Sequence, residues 1–250
     1  MRRRSLALMG FSIGLGLVLL GFTAADLAKD MAALDRAYVP ALAITNQDNV
    51  PMAQKALEVL LQRWESFKTK YAQMSGQDPE WQADTAYIEG QIQQAGAIVK
   101  TGKNIPQAHE ALEGVRLRML AARQRMKIDY YLDHLTVFHE HMEEIFTPAK
   151  NKTPATLTEE DVTRIARALP EAKAAWLKVE SANFDNNLYK LSEQKLAERG
   201  KYLKAIPESL KNVESALQQK EKAELMKAAT ALRGNFSRLF ILFGDYDSLK

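Results

Sequence analysis

The chain of 250 residues is long enough for one large or two small domains, and its 46% apolar content supplies a sizeable core. The formal charge is only +3, with Lys and Arg set beside Asp and Glu, which suits solvated helix faces and argues against a nucleic-acid surface. The absence of cysteine excludes disulfides, thiolate metal sites, covalent c-type haem attachment and a lipoprotein anchor.

Arg2, Arg3 and Arg4 precede an uncharged apolar run from Leu6 to Ala25, and Asp26 is the first acid. This layout predicts that residues 1–25 are a signal peptide or signal-anchor. At ~1.5 Å per residue the run is long enough to span a bilayer as a transmembrane helix. The basic flank predicts that everything after Asp26 lies outside the cytoplasm, in the periplasm, free if the segment is removed and held to the inner membrane if it is kept. Thr23-Ala24-Ala25 has small residues at the offsets of a cleavage site without a clean A-x-A, so both outcomes stay open. Arg3-Arg4-Ser5-Leu6 also resembles a twin-arginine export signal, although Arg2 departs from the residue expected before the pair.

Beyond residue 26 the apolar spacing is helical almost throughout, which predicts an all-α fold. The predicted helices are 26–38, 51–74, 79–100, 106–126, 130–147, 159–181, 186–204 and 208–243, the last broken near Gln218 to Lys222. Pro51, Pro79 and Pro106 suit first-turn positions, where no amide bond is lost. Thr158 with Glu159, Glu160 and Asp161 offers a cap and negative charge to one helix start, and Asp129 offers a cap to another. Pro170 is expected to kink the helix that contains it.

The chain also repeats itself. Tyr38-Val39-Pro40-Ala41 is similar to Phe146-Thr147-Pro148-Ala149, and each precedes a helix that reaches a tryptophan, Trp64 or Trp176. Ala108 to Gly114 is similar to Ala228 to Gly234. These offsets predict two degenerate tandem four-helix units, 26–128 and 129–250. In that alignment Ala229 and Arg233 stand where the first copy has His109 and Glu113, and Met31 and Asp35 stand where the second has His139 and Glu143.

All four histidines fall between positions 109 and 141. His109 with Glu113, and His139 with Glu143, are four residues apart on helices, so each pair shares one face. Met142 adds a thioether. Imidazole with carboxylate suits several divalent transition metals, and the thioether favours copper. The predicted metal site is therefore His109, Glu113, His139, Met142 and Glu143, with Arg116 and Asp133 behind it. The apolar stripe Tyr131, Leu135, Phe138, Met142 and Ile145 puts His139 at its edge and sends His134 and His141 toward solvent. A turn centred near Lys127 and Ile128 sets Arg116 level with His139 and leaves His109 about 10 Å along the axis from it. In that register one ion does not reach both rings. The other reading is a polar structural network in which Arg116 pairs with Glu113 or Glu143 and orients His139.

The window H-x-x-L-E-x-V-R followed by D-H-L-T-x-F-H-x-x-M-E resembles a pattern of exported all-helical bacterial proteins. It matches at His109, Glu113, Arg116, Asp133, Phe138, His139, Met142 and Glu143. The resemblance implies that the window matters and implies no activity. The architecture alone is similar to four-helix bundles that hold b-type haem between Met and His, for which Met31 and His109 would be the pair. Trp64, Trp81 and Trp176 are expected to anchor the core, and Met119 and Met126 to fill it. Serine-nucleophile, phosphate-loop and H-E-x-x-H motifs are missing. The expectation is a non-catalytic exported protein that binds a transition metal. Its partners would be the membrane, if the anchor is kept, and a periplasmic metal-handling or electron-transfer protein. The alternatives are a structural or interaction module and a haem protein.

Overall fold

The computed structural model describes residues 23–47, 49–76 and 78–250. Among them are nine α-helices, two short 3-10 turns and no strand. The helices are α1 (Ala24–Thr45), α2 (Val50–Lys70), α3 (Trp81–Thr101), α4 (Ile105–Arg125), α5 (Tyr131–Phe146), α6 (Glu159–Ser181), α7 (Asn186–Tyr189), α8 (Glu193–Gln219) and α9 (Lys222–Ile241). The export segment lies outside the described residues as far as Phe22. Thr23, Ala24 and Ala25 open α1, where Thr23 and Asp26 form a reciprocal capping box. No helix among the described residues is long and apolar enough to cross a membrane.

Several helix ends follow from local chemistry. Asn49 caps α2 ahead of Pro51, and Thr158 and Asp161 close a capping box on α6. Asp129 does not cap α5. Tyr130 takes that place without a side-chain bond, and the Tyr131 amide donates instead to the Tyr189 hydroxyl at 3.0 Å. Pro79 stays in a turn, and α3 begins two residues later.

Other ends depart from the sequence expectation for tertiary reasons. The first helix is expected over 26–38, yet α1 runs on through Pro40 to Thr45. A proline leaves the carbonyl four residues earlier without its amide. That carbonyl, on Arg36, accepts from the Asp245 amide at 2.8 Å, and the Arg36 side chain donates to Asp245 Oδ2 at 2.9 Å. The loop after α9 comes close enough to do this because residue 244 is glycine. A Cβ there would lie 2.9 Å from Pro40 Cδ. Pro207 likewise sits inside α8, so the predicted boundary between 204 and 208 does not exist. The break expected near Gln218 to Lys222 falls at Lys220, and another falls at Lys190, both left-handed. After Lys220 the Glu221 amide donates back to the Ala216 carbonyl at 3.0 Å.

The turn between α4 and α5 uses the same device. The Ile128 amide donates to the Arg123 carbonyl at 2.9 Å and the Lys127 amide to Gln124 at 3.1 Å, with Lys127 at φ 54. This is the helix-ending pattern that favours glycine at the left-handed position, where a Cβ costs roughly 1 kcal/mol or more. Lys127→Gly is expected to raise the melting temperature by about 2 °C, corresponding to ~0.5–1 kcal/mol. A differential scanning measurement with an unchanged or lower midpoint would contradict that assignment.

Helix α1 packs on α2 and α4, α2 on α3, and α3 on α4; α5 packs on α6 and α9, α6 on α8, and α8 on α9. Contacts between α4 and α5, α1 and α9, and α1 and α7 join the two sets. Trp64, Trp81 and Trp176 are all buried, as are Met119 and the stripe Tyr131, Leu135, Phe138, Met142 and Ile145. The core is continuous through both sets.

Candidate functional site

The turn at Lys127 folds α5 back beside α4 and brings Arg116 to His139. An Arg116 terminal amino group donates to His139 Nδ1 at 2.6 Å, and the same group pairs with Glu113 Oε2. Guanidinium nitrogens only donate, so Nδ1 is the acceptor and the ring proton sits on Nε2. That nitrogen faces Glu143 Oε1 at 3.6 Å. Burial and the neighbouring Arg116 cation push the His139 pKa down to about 2, with His109 and Arg233 adding to the effect. The ring is therefore neutral at any physiological pH. Its face lies 5.2 Å from the Phe236 ring of α9.

His109 is held differently. Its Nδ1 meets the Leu42 carbonyl at 2.9 Å. Leu42 lies in the last turn of α1, where carbonyls lack the amides of a further turn. Donation from Nδ1 leaves the Nε2 lone pair facing Glu113 Oε1 at 3.5 Å. Glu113 is thus shared by His109 and Arg116. Burial raises its pKa, while the Arg116 cation pulls the other way. At the far end, Glu143 accepts from the Thr147 hydroxyl at 3.1 Å and lies 3.5 Å from Arg233 Nε. The Arg233 guanidinium covers the Phe146 ring at 4.8 Å.

A continuous polar chain therefore runs from the Leu42 carbonyl through His109, Glu113, Arg116, His139 and Glu143 to Arg233. It ties α1, α4, α5 and α9 together. It lines a cleft of ≈ 590 Å³ together with Phe236 and Phe240. Arg116 also stacks over Phe240 at 5.8 Å.

His109, Glu113, Arg116, His139 and Glu143 are thus brought together, with Arg116 standing between the two imidazoles. Met142 is not among them, because it is fully buried in the core and does not line the cleft. Asp133 is also elsewhere. Both of its oxygens accept from Arg123, with Nε at 2.9 and 3.0 Å. That pair belongs to a second buried cluster, in which Arg123 lies 4.3 Å over the Tyr130 ring and the Tyr130 hydroxyl donates to Asp35 at 2.5 Å. Burial pushes the Asp35 pKa up to about 6, against the pull of Arg123 and Tyr130. His134 and His141 face outward, 3.6 Å from Asp129 and 3.4 Å from Glu144.

Sequence reasoning did not find the share of α9 in the site. Phe236 and Phe240 carried no reading, and Arg233 read only as the repeat counterpart of Glu113. An arginine on a core-flanking position was the one available signal. A cation bound here would meet an unused lone pair on His109 Nε2 and carboxylate oxygens of Glu113 and Glu143. His139 offers none while Arg116 donates to its Nδ1. No group of three or more His, Asp or Glu among the described residues is placed to hold a metal ion. No protein-family model, curated protein or solved structure matches the chain.

Proposed function

We propose that this is an extracytoplasmic, non-catalytic interaction module made of two related four-helix units, in which the Arg–His–Glu chain locks one unit to the other. The observation that carries the reading is Arg116, which engages Glu113 on its own helix and His139 on the next. The helix neighbours support two related units. Each of α1 to α4 packs on two others of that set, and α5, α6, α8 and α9 do the same. Matching α1 with α5 and α4 with α9 exchanges the α1–α9 contact for the α4–α5 contact, as a two-fold relation between copies would. The sequence of residues 1–25 supports placement outside the cytoplasm, tethered to the membrane if the segment is retained.

A second reading has one observation in its favour. His109 is oriented through Nδ1 by a backbone carbonyl, the support that a metal-ligating imidazole usually has, and Glu113 stands beside its free nitrogen. Copper or another divalent ion on His109 and Glu113 would fit a role beside a metal-handling or electron-transfer partner.

Metal analysis together with melting curves separates the two. Under the structural reading, purified protein carries no stoichiometric metal. His139→Ala then lowers stability by about 2 kcal/mol, equally with and without chelator, because a donor and a packed ring lose their partners. Stoichiometric metal that disappears in His109→Ala/His139→Ala would overturn it in favour of the second.

A further inference from the structure

We infer that the small cavity between α1, α4 and α5 binds a single water molecule as the hydrogen-bond partner of Asp35. The cavity lies where the two sets of helices meet, and its volume of ≈ 20 Å³ exceeds the ~10–15 Å³ that one water needs. Much of its lining is buried and apolar, as at Leu60, Val115 and Met119. Asp35, Tyr38 and Thr136 break that pattern. A cavity lined by carbon alone stays dry, whereas one with a carboxylate and hydroxyls offers the polar contacts that hold a water.

Charge and hydrogen-bond partners single out Asp35. Glu113 pairs with Arg116 and Asp133 with Arg123, one carboxylate to each guanidinium. Asp35 is left over, with no ion pair among the described residues, and Arg123 acts on it only across space. Its Oδ2 accepts from the Tyr130 hydroxyl, and its Oδ1 takes no hydrogen bond from the described residues. The groups facing it are Arg123 from α4, Tyr130 and Asp133 at the start of α5, Tyr189 from α7 and Tyr38 from α1 itself. Arg116 lines the same cavity from α4, while α2, α3 and α9 contribute uncharged side chains.

Burial raises the Asp35 pKa to about 6, so both its carboxylate and its acid form have to be satisfied. Guanidinium groups only donate and cannot serve the acid. The Tyr38 and Thr136 hydroxyls give their protons to the Leu112 and Leu132 carbonyls at 2.8 and 2.9 Å, which leaves their lone pairs. Water serves every one of these needs. It donates to the carboxylate, accepts from the acid, and has a second hydrogen for a hydroxyl lone pair on the cavity wall. Holding one water costs less than leaving a buried carboxylate oxygen bare.

The readouts do not depend on whether the cleft beyond Arg116 is a structural lock or a metal site. The test is a high-resolution crystal structure of the full chain, with long-lived internal waters counted in solution by magnetic relaxation dispersion. One water within hydrogen-bond distance of Asp35 Oδ1 is expected. Val115→Ile adds a methyl group to the cavity lining and is expected to lower the count by one. The Asp35 titration, followed by carboxyl-carbon NMR and identified by its loss in Asp35→Asn, is then expected to move up from about 6, because the carboxylate has lost a donor. A dry cavity in the unaltered chain, or an Asp35 midpoint unmoved by Val115→Ile, would overturn the proposal.

Discussion

Arg116→Met is expected to lower the stability of the folded chain by about 3–5 kcal/mol, the range found when one member of a buried ion pair is removed. Met retains much of the stem that packs on Phe240, so the loss reports charge and hydrogen bonds more than volume. Two groups lose their partner at once, the Glu113 carboxylate and the His139 Nδ1 acceptor. Glu113 is already held above its usual range by burial, so without Arg116 it escapes part of the penalty by taking up a proton. That route gives the variant a mark of its own, since its deficit shrinks as the pH is lowered. Adding Glu113→Gln to Arg116→Met removes the stranded charge, and the double variant is expected to recover more than half of the loss. Urea unfolding of the three proteins reads this directly. A deficit of less than about 1 kcal/mol for Arg116→Met would place the pair among weak surface contacts and remove its role as the lock.

The second large effect is on acid stability, through His139. The folded chain holds this ring neutral, with a pKa near 2 against about 6.5 for an unfolded histidine. A depressed value in the folded state means that, below pH 6.5, the unfolded chain gains a proton that the folded chain refuses. Stability is then present above pH 6.5 and is lost at ~1.4 kcal/mol per pH unit as the pH falls toward 2. His139→Gln keeps an oxygen that accepts from Arg116 and has no proton to gain. The unaltered chain is expected to be the more stable at pH 7. By pH 4.5 the difference should have moved by about 3 kcal/mol toward the variant. The comparison has to be a difference between the two proteins, because Asp35 works the other way. Its pKa is raised to about 6, so the folded chain takes up a proton there and gains stability as the pH falls through that range. The Asp35 contribution is common to both proteins and cancels in the difference. A gap that stays constant from pH 7 to 4.5 would mean that the ring is not held neutral by burial and Arg116.

Much of the architecture was legible in the chain because helices are written locally. The α5 stripe from Tyr131 to Ile145, the Thr158 cap and the turn near Lys127 were all read from neighbours in sequence. The same holds for the level of Arg116 with His139, which needs only a turn position and ~1.5 Å per residue. The errors also have one cause. The helix ends expected at 38 and 204 stand just before Pro40 and Pro207, which the structure places inside helices. The Asp245 amide that satisfies the carbonyl freed at Pro40 lies more than two hundred residues away, where no local rule reaches. Met142 read both as part of the apolar stripe and as a ligand beside His139. Its side chain went into the core, where an apolar thioether gains most from burial.

The order and spacing of residues settled that this chain is helical, where its polar window lies and which side chains share a helix face. Those properties follow from periodicity and from groups within a turn of one another. Which partner each polar atom of the window meets was set only by the packing of α1, α4, α5 and α9. Arg116 placed between the imidazoles takes the lone pair of His139 Nδ1, and the Leu42 carbonyl takes the Nδ1 proton of His109. An atom used in one such contact is no longer free for another, and that constraint has no trace in the one-dimensional chain.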